Sequence, residues 1–305
     1  MFFSSEPVVI ITYLNALFPV VFCALLGWTL AKRTTLLSAP GLSQLVTQLG
    51  LPALILSALL GMKTPLTQVS DTLVAIVLVL LVSAFLGAVA LKLCGLAVRG
   101  YLSMLVNPNT GNLGIPLVFA LLGQDALVHA VVISTVVQIS HFTLGVWLLS
   151  GRFTLKSVLT NASILALIAG VAWHATGLET PIAVTRTLDL LAGMTIPVML
   201  LLLGRSLAEI DLREWRRLGR IVGLSAGRVA LGVSAAMLVL SLWPLSPLVA
   251  QTLLIQASMP VAVISYILAS HYDGPKDDIA AVTLVSIPLS LLTVMALMQW
   301  APVFN

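Results

Sequence analysis

The chain has 305 residues, of which 59% are apolar and only 9% are charged. Soluble domains average roughly 45–50% apolar and about 25% charged residues. This composition excludes a soluble enzyme, a disordered chain and a disulfide-built scaffold, and it predicts an all-α polytopic membrane protein. A membrane β-barrel is excluded because its strands alternate polar and apolar residues, whereas the apolar runs here are unbroken.

Apolar runs of the length that crosses a membrane, roughly 20 residues, predict ten transmembrane helices. We number them as spans 1 to 10, and they cover residues 8–31, 40–62, 71–94, 100–123, 126–149, 157–177, 181–207, 218–243, 246–270 and 278–301. The N-terminus lacks the basic residues of a cleaved signal peptide, so span 1 is expected to be retained. The connecting segments are too short for a nucleotide-binding domain and carry no GxxxxGK[ST] motif, which excludes an ATP-driven pump contained in this chain.

The lysines and arginines favour one side of the membrane. Twelve of them lie in or beside the gaps after odd-numbered spans, whereas only Lys63 and Arg186 follow even-numbered ones. Because basic loops stay in the cytoplasm, both termini are predicted to lie on the non-cytoplasmic side. The same placement argues against nucleic acid as a partner despite the net charge of +4. The charged segment 211–217 is predicted to be a cytoplasmic linker, with a lipid-headgroup or regulatory site as the alternative.

Four prolines inside the spans form two matched pairs. Pro52 in span 2 and Pro116 in span 4 are 64 residues apart, and Pro197 in span 7 and Pro260 in span 9 are 63 apart. The pairs are offset by 144 or 145 residues, so the chain divides into repeats 1–156 and 157–305 of five spans each. Because five is odd, the second repeat enters the membrane from the opposite side, an arrangement common in secondary transporters. Chance placement of the prolines is the alternative.

Spans 4 and 9 are predicted to be broken helices that hold a binding site. Irregular backbone at membrane depth is tolerated where it is buried in protein or lines a cavity, and half-helix N-termini directed at a cavity attract an anion. Asparagine and threonine side chains there are suited to replace lost hydrogen bonds or to bind a ligand. A packing kink is the alternative. The candidate substrate-binding residues are Asn107, Asn109, Thr110, Asn112, Pro116, Gln256, Ser258, Pro260 and Ser265.

Other polar residues within the spans are candidates for ion coupling or for lining the same cavity. His141 is the strongest proton-coupling candidate because imidazole titrates near neutral pH, with a hydrogen-bonded packing histidine as the alternative. Arg228 is expected to extend to the cytoplasmic interface, with attraction of an anion as the alternative. For Asp189, a position at the outer interface beside Arg186 is the alternative to an ion site. The full set is Gln138, His141, Asp189 and Gln48.

The segment Asn107–Leu117 resembles the signature of the auxin efflux carrier family. Three further segments are similar to the same family, so the resemblance covers essentially the whole chain: Leu51-Pro52-Ala53, Leu203-Gly204-Arg205-Ser206-Leu207 and Met259-Pro260 with Leu268-Ala269 and Tyr272. The chain lacks the long central loop of many plant members and is similar to the compact bacterial kind.

The resemblance implies a fold like that of the sodium/bile-acid symporters, in which two broken helices cross at mid-membrane. Spans 1, 2, 6 and 7 would form a scaffold, which would also build a homodimer, and spans 3–5 and 8–10 would form a transport domain. The resemblance also implies an elevator-type movement, a small mono- or dicarboxylate as substrate, and the bacterial inner membrane as location. In two places the chain departs from the family. Ile264 and Ser265 stand where many relatives have an asparagine, and Asn161-Ala162 replaces a frequent Asn-Pro, for which no functional role is expected.

The sequence therefore predicts a secondary active transporter of a small organic anion. A channel or a non-transporting membrane sensor with the same fold is the alternative, although a channel requires a continuous polar lining and the polar residues here are localised. No enzyme is predicted, because no catalytic triad, zinc motif or pair of intramembrane carboxylates is present. No cofactor or metal is expected, and the expected partners are the substrate, membrane lipid and a second copy of the chain.

Overall fold

The computed structural model describes residues 6–61, 66–151, 160–209 and 218–304. These residues are helical almost throughout, and the extended pairing found among them is an isolated bridge between Pro108 and Val261. The all-α prediction is therefore confirmed for the described chain. The charged segment 211–217 and the predicted start of span 6 lie outside the described residues.

The described residues form α-helices in both halves of the chain. In the first half, the described α-helices are α1 Glu6–Arg33, α2 Pro40–Leu45, α3 Leu51–Leu60, α4 Leu66–Leu93, α5 Val98–Val106, α6 Ile115–Leu122, α7 Leu127–Ser140 and α8 Val146–Ser150. In the second half they are α9 Ala162–Ala175, α10 Ile182–Gly193, α11 Thr195–Glu209, α12 Leu218–Leu242, α13 Pro247–Ala257, α14 Val263–His271 and α15 Lys276–Trp300.

Three π-helical segments, which have wider i→i+5 turns, join some of these helices. Val46–Gly50 links α2 to α3, Thr110–Gly114 leads into α6, and His141–Gly145 links α7 to α8. The first two segments are followed by Pro52 and Pro116 at the start of the next helix. Because proline has no N–H group, the carbonyl four residues earlier loses its α-helical donor, which favours a widened turn there.

The described chain contains seven helical segments that are long and apolar enough to cross a membrane: Tyr13–Arg33, Gly41–Leu60, Thr67–Leu93, Gln124–Ser150, Ile182–Glu209, Leu218–Leu242 and Lys276–Trp300. Three shorter apolar segments are Thr110–Leu122, Ala162–Ala175 and Pro247–Ala257. Large apolar side chains point outward, and Phe18, Phe85 and Leu190 are 69%, 70% and 79% exposed. Apolar surface on this scale requires a membrane or a partner. The protein is thus a polytopic α-helical membrane protein.

Two groups of helices pack closely among themselves. In one, α1 lies along α11, and α3 packs against α9 and α10. A Cβ atom added at Gly27 of α1 would lie 2.2 Å from the Leu201 carbonyl oxygen, and one at Gly204 of α11 would lie 1.8 Å from the Ala24 carbonyl oxygen. The two backbones therefore approach so closely that only glycine fits at either position. In the other group, α4 packs on α5, α7 and α12, while α15 packs on α12 and α14.

The described part of span 6 begins with a capped helix. The side-chain oxygen of Asn161 accepts hydrogen bonds from the backbone N–H groups of Ser163, at 2.9 Å, and Ile164, at 3.3 Å. Asparagine is among the strongest N-cap residues because it satisfies donors that the helix leaves unpaired. Asn161, for which no functional role was expected, therefore has a structural role as a helix cap.

Candidate functional site

The two predicted helix breaks meet at one point in the structure. Between α5 and the following π segment, the backbone is non-helical from Asn107 to Asn109, and between α13 and α14 it is irregular from Ser258 to Ala262. Pro108 and Val261 form an antiparallel bridge, and the Asn109 N–H group donates to the Pro260 carbonyl oxygen at 2.8 Å. Each break therefore supplies hydrogen-bond partners to the other, which makes irregular backbone tolerable in an apolar environment.

A serine from a third helix completes this pairing. The Val261 N–H group donates to the Ser286 side-chain oxygen of α15 at 3.1 Å. The Asn109 carbonyl oxygen accepts from the Gly114 N–H group at 3.0 Å. The crossing point is thus fixed both by the two broken segments and by α15.

Arg228 lies beneath the crossing point, although the sequence predicted a position at the cytoplasmic interface. Its side chain is 1% exposed. Nη1 donates to the Leu105 carbonyl oxygen in the last turn of α5 at 2.6 Å, and Nη2 donates to the Ala257 carbonyl oxygen at the end of α13 at 2.9 Å. The interface prediction is therefore wrong, because two buried helix C-termini provide better hydrogen-bond partners for the guanidinium than the distant interface does.

The charge of Arg228 matches what it contacts. A helix C-terminus carries a partial charge of about −0.5, so two such ends together balance about one positive charge. The guanidinium thus compensates the negative ends of α5 and α13. The N-termini of the two following half-helices carry a partial positive charge, and Arg228 does not contact them.

A cavity of about 170 Å³ lies beside the crossing point. Its first wall is the start of the second half of span 4, and its second wall is the start of α14. The remaining walls come from α7, the π segment that follows it, and the π segment of span 2. The lining residues are Thr47, Leu51, Pro108, Asn109, Thr110, Gly111, Asn112, Ser134, Val137, Gln138, His141, Phe142, Ala262, Val263 and Ile264.

The cavity lining contains polar groups but no side chain that is permanently charged. Lysine, arginine, aspartate and glutamate are absent from its described lining. Amide and hydroxyl groups face it together with the imidazole of His141, whose Nε2 lies 3.3 Å from the Ser265 side-chain oxygen. Electrostatic attraction in the cavity must therefore come from backbone N–H groups, helix N-termini and neutral donors.

Three of the predicted substrate-binding residues line the cavity, namely Asn109, Thr110 and Asn112. Two of the predicted cavity or coupling residues, Gln138 and His141, line it as well. These five side chains come from spans 4 and 5, which the fold brings together at the crossing point.

The other predicted substrate-binding residues surround the cavity without lining it. They are buried in the supporting structure: Asn107, Pro116, Gln256, Ser258, Pro260 and Ser265. The Gln256 amide nitrogen is 3.4 Å from the Ala130 carbonyl oxygen, and its amide oxygen occupies the place where a Cβ atom on Gly114 would be, 2.1 Å away. The Ser258 side chain donates to the Ile255 carbonyl oxygen at 2.8 Å. These contacts hold the half-helices in position.

Two of the predicted coupling residues lie elsewhere. Asp189 is exposed on α10 and accepts a hydrogen bond from the Ser57 side chain at 2.6 Å, which ties α10 to α3. Gln48 is also exposed, and its neighbour Thr47 lines the cavity instead. The wider turn of the π segment Val46–Gly50 changes which residue faces inward, so α-helical periodicity points to the wrong residue here.

Sequence reasoning missed Thr47, Ser134 and Phe142. Ser134 precedes Gln138 by four residues and His141 by seven, so one face of an α-helix carries all three. That spacing was sufficient to find Ser134. All three π segments contribute to the cavity, and each ends in Leu-Gly at Gly50, Gly114 or Gly145. This short motif is a signal that periodicity alone does not detect.

Comparison with known proteins places the chain in a family. A family model described as "Membrane transport protein" matches residues 12–152 and 146–298. The chain belongs to the auxin efflux carrier family. It is therefore a member of a family of membrane transporters, as the motif of span 4 predicted.

Two curated relatives agree with this assignment. A protein of Methanothermobacter thermautotrophicus strain Delta H, named as an uncharacterized transporter, is 25% identical over 275 residues, covering 84% of this chain and 86% of the relative. A protein of Rhizobium meliloti strain 1021, provisionally named as a malonate transporter, is 26% identical over 204 residues, covering 62% of this chain and 63% of the relative. Both names describe transporters rather than enzymes.

Proposed function

We propose that this auxin efflux carrier family protein is a secondary active transporter of a small organic anion, which binds in the crossover cavity. The observation that carries the proposal is the pairing of two half-helix N-termini with amide and hydroxyl side chains at one cavity. Helix N-termini favour negative charge, since their N–H groups lack partners within the helix. Arg228 strengthens this field, because it compensates the opposing C-terminal ends of α5 and α13.

The size of the cavity limits the substrate. Drug-sized ligands occupy pockets of about 300–1,000 Å³, whereas this cavity measures about 170 Å³. A mono- or dicarboxylate with a short carbon chain fits this limit, and the relative provisionally named as a malonate transporter makes malonate the first compound to test.

The mechanism we propose is an elevator-type movement of one helix group against the other. Ten spans in two inverted repeats, residues 1–156 and 157–305, would provide a scaffold from spans 1, 2, 6 and 7 and a transport domain from spans 3–5 and 8–10. The packing supports this division, because α1 contacts α11 and α3 contacts α9 and α10, while α4, α12 and α15 pack within the other group. The cavity lies between them, since Thr47 belongs to the first group and Asn109 to the second.

We place the protein in a bacterial inner membrane with both termini on the non-cytoplasmic side. Twelve lysines and arginines next to odd-numbered spans, against two next to even-numbered spans, support this orientation. We further propose a homodimer formed through the scaffold. The exposed apolar face of α1, which includes Phe18 and Phe22, is suited to pack against a second copy.

Coupling to a proton, if transport is coupled, would act through His141. This imidazole lines the cavity beside Gln138 and contacts Ser265, so its protonation would change the charge that the substrate meets. Asp189 and Gln48 do not line the cavity, and we propose no coupling role for them.

Counterflow in proteoliposomes tests the proposal. Vesicles preloaded with malonate should take up labelled malonate faster than empty vesicles, and uptake should saturate. Asn112→Ala should abolish trans-stimulated uptake, whereas Gln48→Ala, one residue from a cavity residue but outside the lining, should retain it. Flux that neither saturates nor responds to internal substrate would instead establish a channel. Binding without any flux would establish a sensor.

A further inference from the structure

A second cavity differs in character from the crossover cavity. It is an open apolar groove between α4 and α12. It measures about 680 Å³. The lining from α4 and the turn after it is Leu86, Gly87, Ala90, Leu91, Cys94 and Leu96. Opposite this wall, α12 presents mainly glycine and other small residues, with Arg220 at one end. The groove shares no lining residue with the crossover cavity.

Three glycines of α12 that line the groove have no packing explanation within the chain. Gly219, Gly223 and Gly227 follow one another at four-residue intervals on one helix face. A Cβ atom added at any of them would meet no heavy atom within 4 Å, in contrast to Gly27, where it would strike a neighbouring backbone. Glycine weakens a helix relative to alanine. The glycines therefore keep a space open that no described part of the chain fills.

The groove is long enough to hold one lipid chain. From Gly219 to Ser234 it follows α12 for about 22 Å, at 1.5 Å per residue. One leaflet of the hydrocarbon core is about 15 Å thick, so the groove runs from the end of α12 past the middle of the membrane. Cys94 directly follows the C-terminus of α4, and Arg220 lies in the first turn of α12. Both residues line the same groove. Both ends adjoin segments that we propose to be cytoplasmic.

One basic side chain, Arg220, is among the residues that line this end of the groove. Lys92 in the last turn of α4 and Arg99 in the first turn of α5 are exposed on the neighbouring segments of the chain. Arg220 donates from Nη1 to the Asp278 carboxylate at 3.2 Å, and its side chain is still 40% exposed. Asp278 also accepts a hydrogen bond from Tyr101. The carboxylate therefore orients the guanidinium at the mouth of the groove, and the exposed part of the guanidinium carries N–H donors suited to a phosphate.

We propose that the groove binds one phospholipid with an anionic headgroup, its acyl chain lying along Gly219, Gly223 and Gly227 and its phosphate at Arg220. Bilayer acyl chains solvate apolar surface as well as the groove does, so the chain itself provides little preference. Selectivity must come from the headgroup, since a basic residue near the membrane surface attracts anionic lipid. This site is independent of the proposed substrate and of transport.

Native mass spectrometry of the purified, delipidated full chain tests the proposal with two lipids of equal chain length. Phosphatidylglycerol should bind about fivefold more tightly than phosphatidylcholine, the ratio expected from one basic residue at the surface. Arg220→Gln should reduce the ratio to about one. Equal binding of both lipids to the unmodified protein would overturn the anionic preference.

Filling the groove tests its location. Gly223→Leu with Gly227→Leu adds side chains to open space and improves helix propensity, so the protein should fold and melt no lower than the original. Binding of phosphatidylglycerol should fall at least fivefold. Ala226→Leu, an exposed position on the same helix outside the lining, should leave binding unchanged. Undiminished binding in the double variant, or an equal loss in Ala226→Leu, would show that the lipid does not occupy this groove.

Cys94 provides a second readout, because it is an exposed free thiol in the groove wall. In a Cys23→Ser background, phosphatidylglycerol should slow modification of Cys94 by a maleimide at least threefold, and phosphatidylcholine should do so less. The protection should disappear when Gly223 and Gly227 are replaced by leucine. A modification rate that no lipid changes would contradict occupancy of the groove.

Discussion

The two helix breaks meet at one crossing point but present different chemistry to the cavity, and in the described chain a π segment follows the first break but not the second. The first break presents Asn109, Thr110 and Asn112 to it, whereas the second presents Ala262, Val263 and Ile264. At the second break, the Gln256 amide nitrogen and the Ser258 hydroxyl donate to backbone carbonyl oxygens. The comparison indicates that the two repeats need not share one function: under the proposed function, the first break would bind the ligand while the second supports it.

The largest effect is expected where both breaks depend on one residue. Arg228→Met removes charged hydrogen bonds to Leu105 and Ala257, each worth about 1.5–3 kcal/mol. We expect the free energy of unfolding to fall by about 3 kcal/mol or more, which lowers the melting temperature in detergent by roughly 5–10 °C. Arg228→Lys, which keeps the charge but lacks the second donor arm, should lie in between. An unchanged melting temperature in Arg228→Met would show that the two C-termini do not need the guanidinium.

The next largest effect distinguishes residues that bind the substrate from residues that only support the cavity wall. Asn112→Ala should weaken binding of a carboxylate substrate roughly 10- to 100-fold, since a hydrogen bond to a charged group is worth about 1.5–3 kcal/mol. Asn109→Ala should behave similarly. Ile264→Ala, on the opposite wall, should change affinity by less than about threefold, because it removes no polar partner. Isothermal titration with malonate measures all three, and equal losses at both walls would remove the asymmetry described above.

A gain of function tests the same asymmetry from the other side. Ile264→Asn introduces an amide into the apolar wall, at the region where many family members have an asparagine. One additional neutral hydrogen bond is worth about 0.5–1.5 kcal/mol, so affinity for a dicarboxylate should rise about two- to tenfold. Ile264→Leu serves as the apolar control and should bind as the original does. Weaker binding of the asparagine variant would indicate that the substrate needs an apolar contact at this wall.

The smallest effect concerns the link between the two halves at His141. Ser265→Ala removes the contact between the Ser265 side chain and the imidazole and should cost about 0.5–1.5 kcal/mol of unfolding free energy. Ser290→Ala is the matched control, because its side-chain oxygen is fully buried and has no hydrogen-bond partner. Thermal melting in detergent compares them, and we expect the control to be neutral or slightly more stable. Equal destabilisation of both variants would show that the contact between Ser265 and His141 does not contribute to the free energy of unfolding.

Much of the architecture was predictable because the bilayer imposes simple rules. Apolar runs must be helical in a membrane, and prolines with asparagines inside such runs must be accommodated at a protected break. This is why the breaks near Pro116 and Pro260 were found, and why the candidate residues Asn109, Thr110 and Asn112 lie close enough to line the cavity. Side chains within the break itself are close to the site by chain connectivity alone.

The remaining errors have identifiable physical causes. Gln48 was predicted as a coupling or cavity residue, whereas its neighbour Thr47, in the π turn Val46–Gly50, lines the cavity. Arg228 was expected at the interface because nothing in its own helix reveals that two helix C-termini, at Leu105 and Ala257, lie beside it. Asp189 was a coupling candidate until its partner Ser57, 132 residues away, was placed next to it.

The sequence by itself determined the membrane environment, the all-α fold class, the family and the residues of the two breaks. These properties follow from composition and from short motifs. Only the tertiary structure decided which polar groups face the cavity and which are used in packing. Each such assignment depends on a neighbour far away in the chain, as Arg228 does on Leu105 and Gln256 on Gly114. The scarcity of charge that excluded a soluble protein also has a structural counterpart: with no charged side chain in the described cavity lining, the folded backbone itself supplies the field.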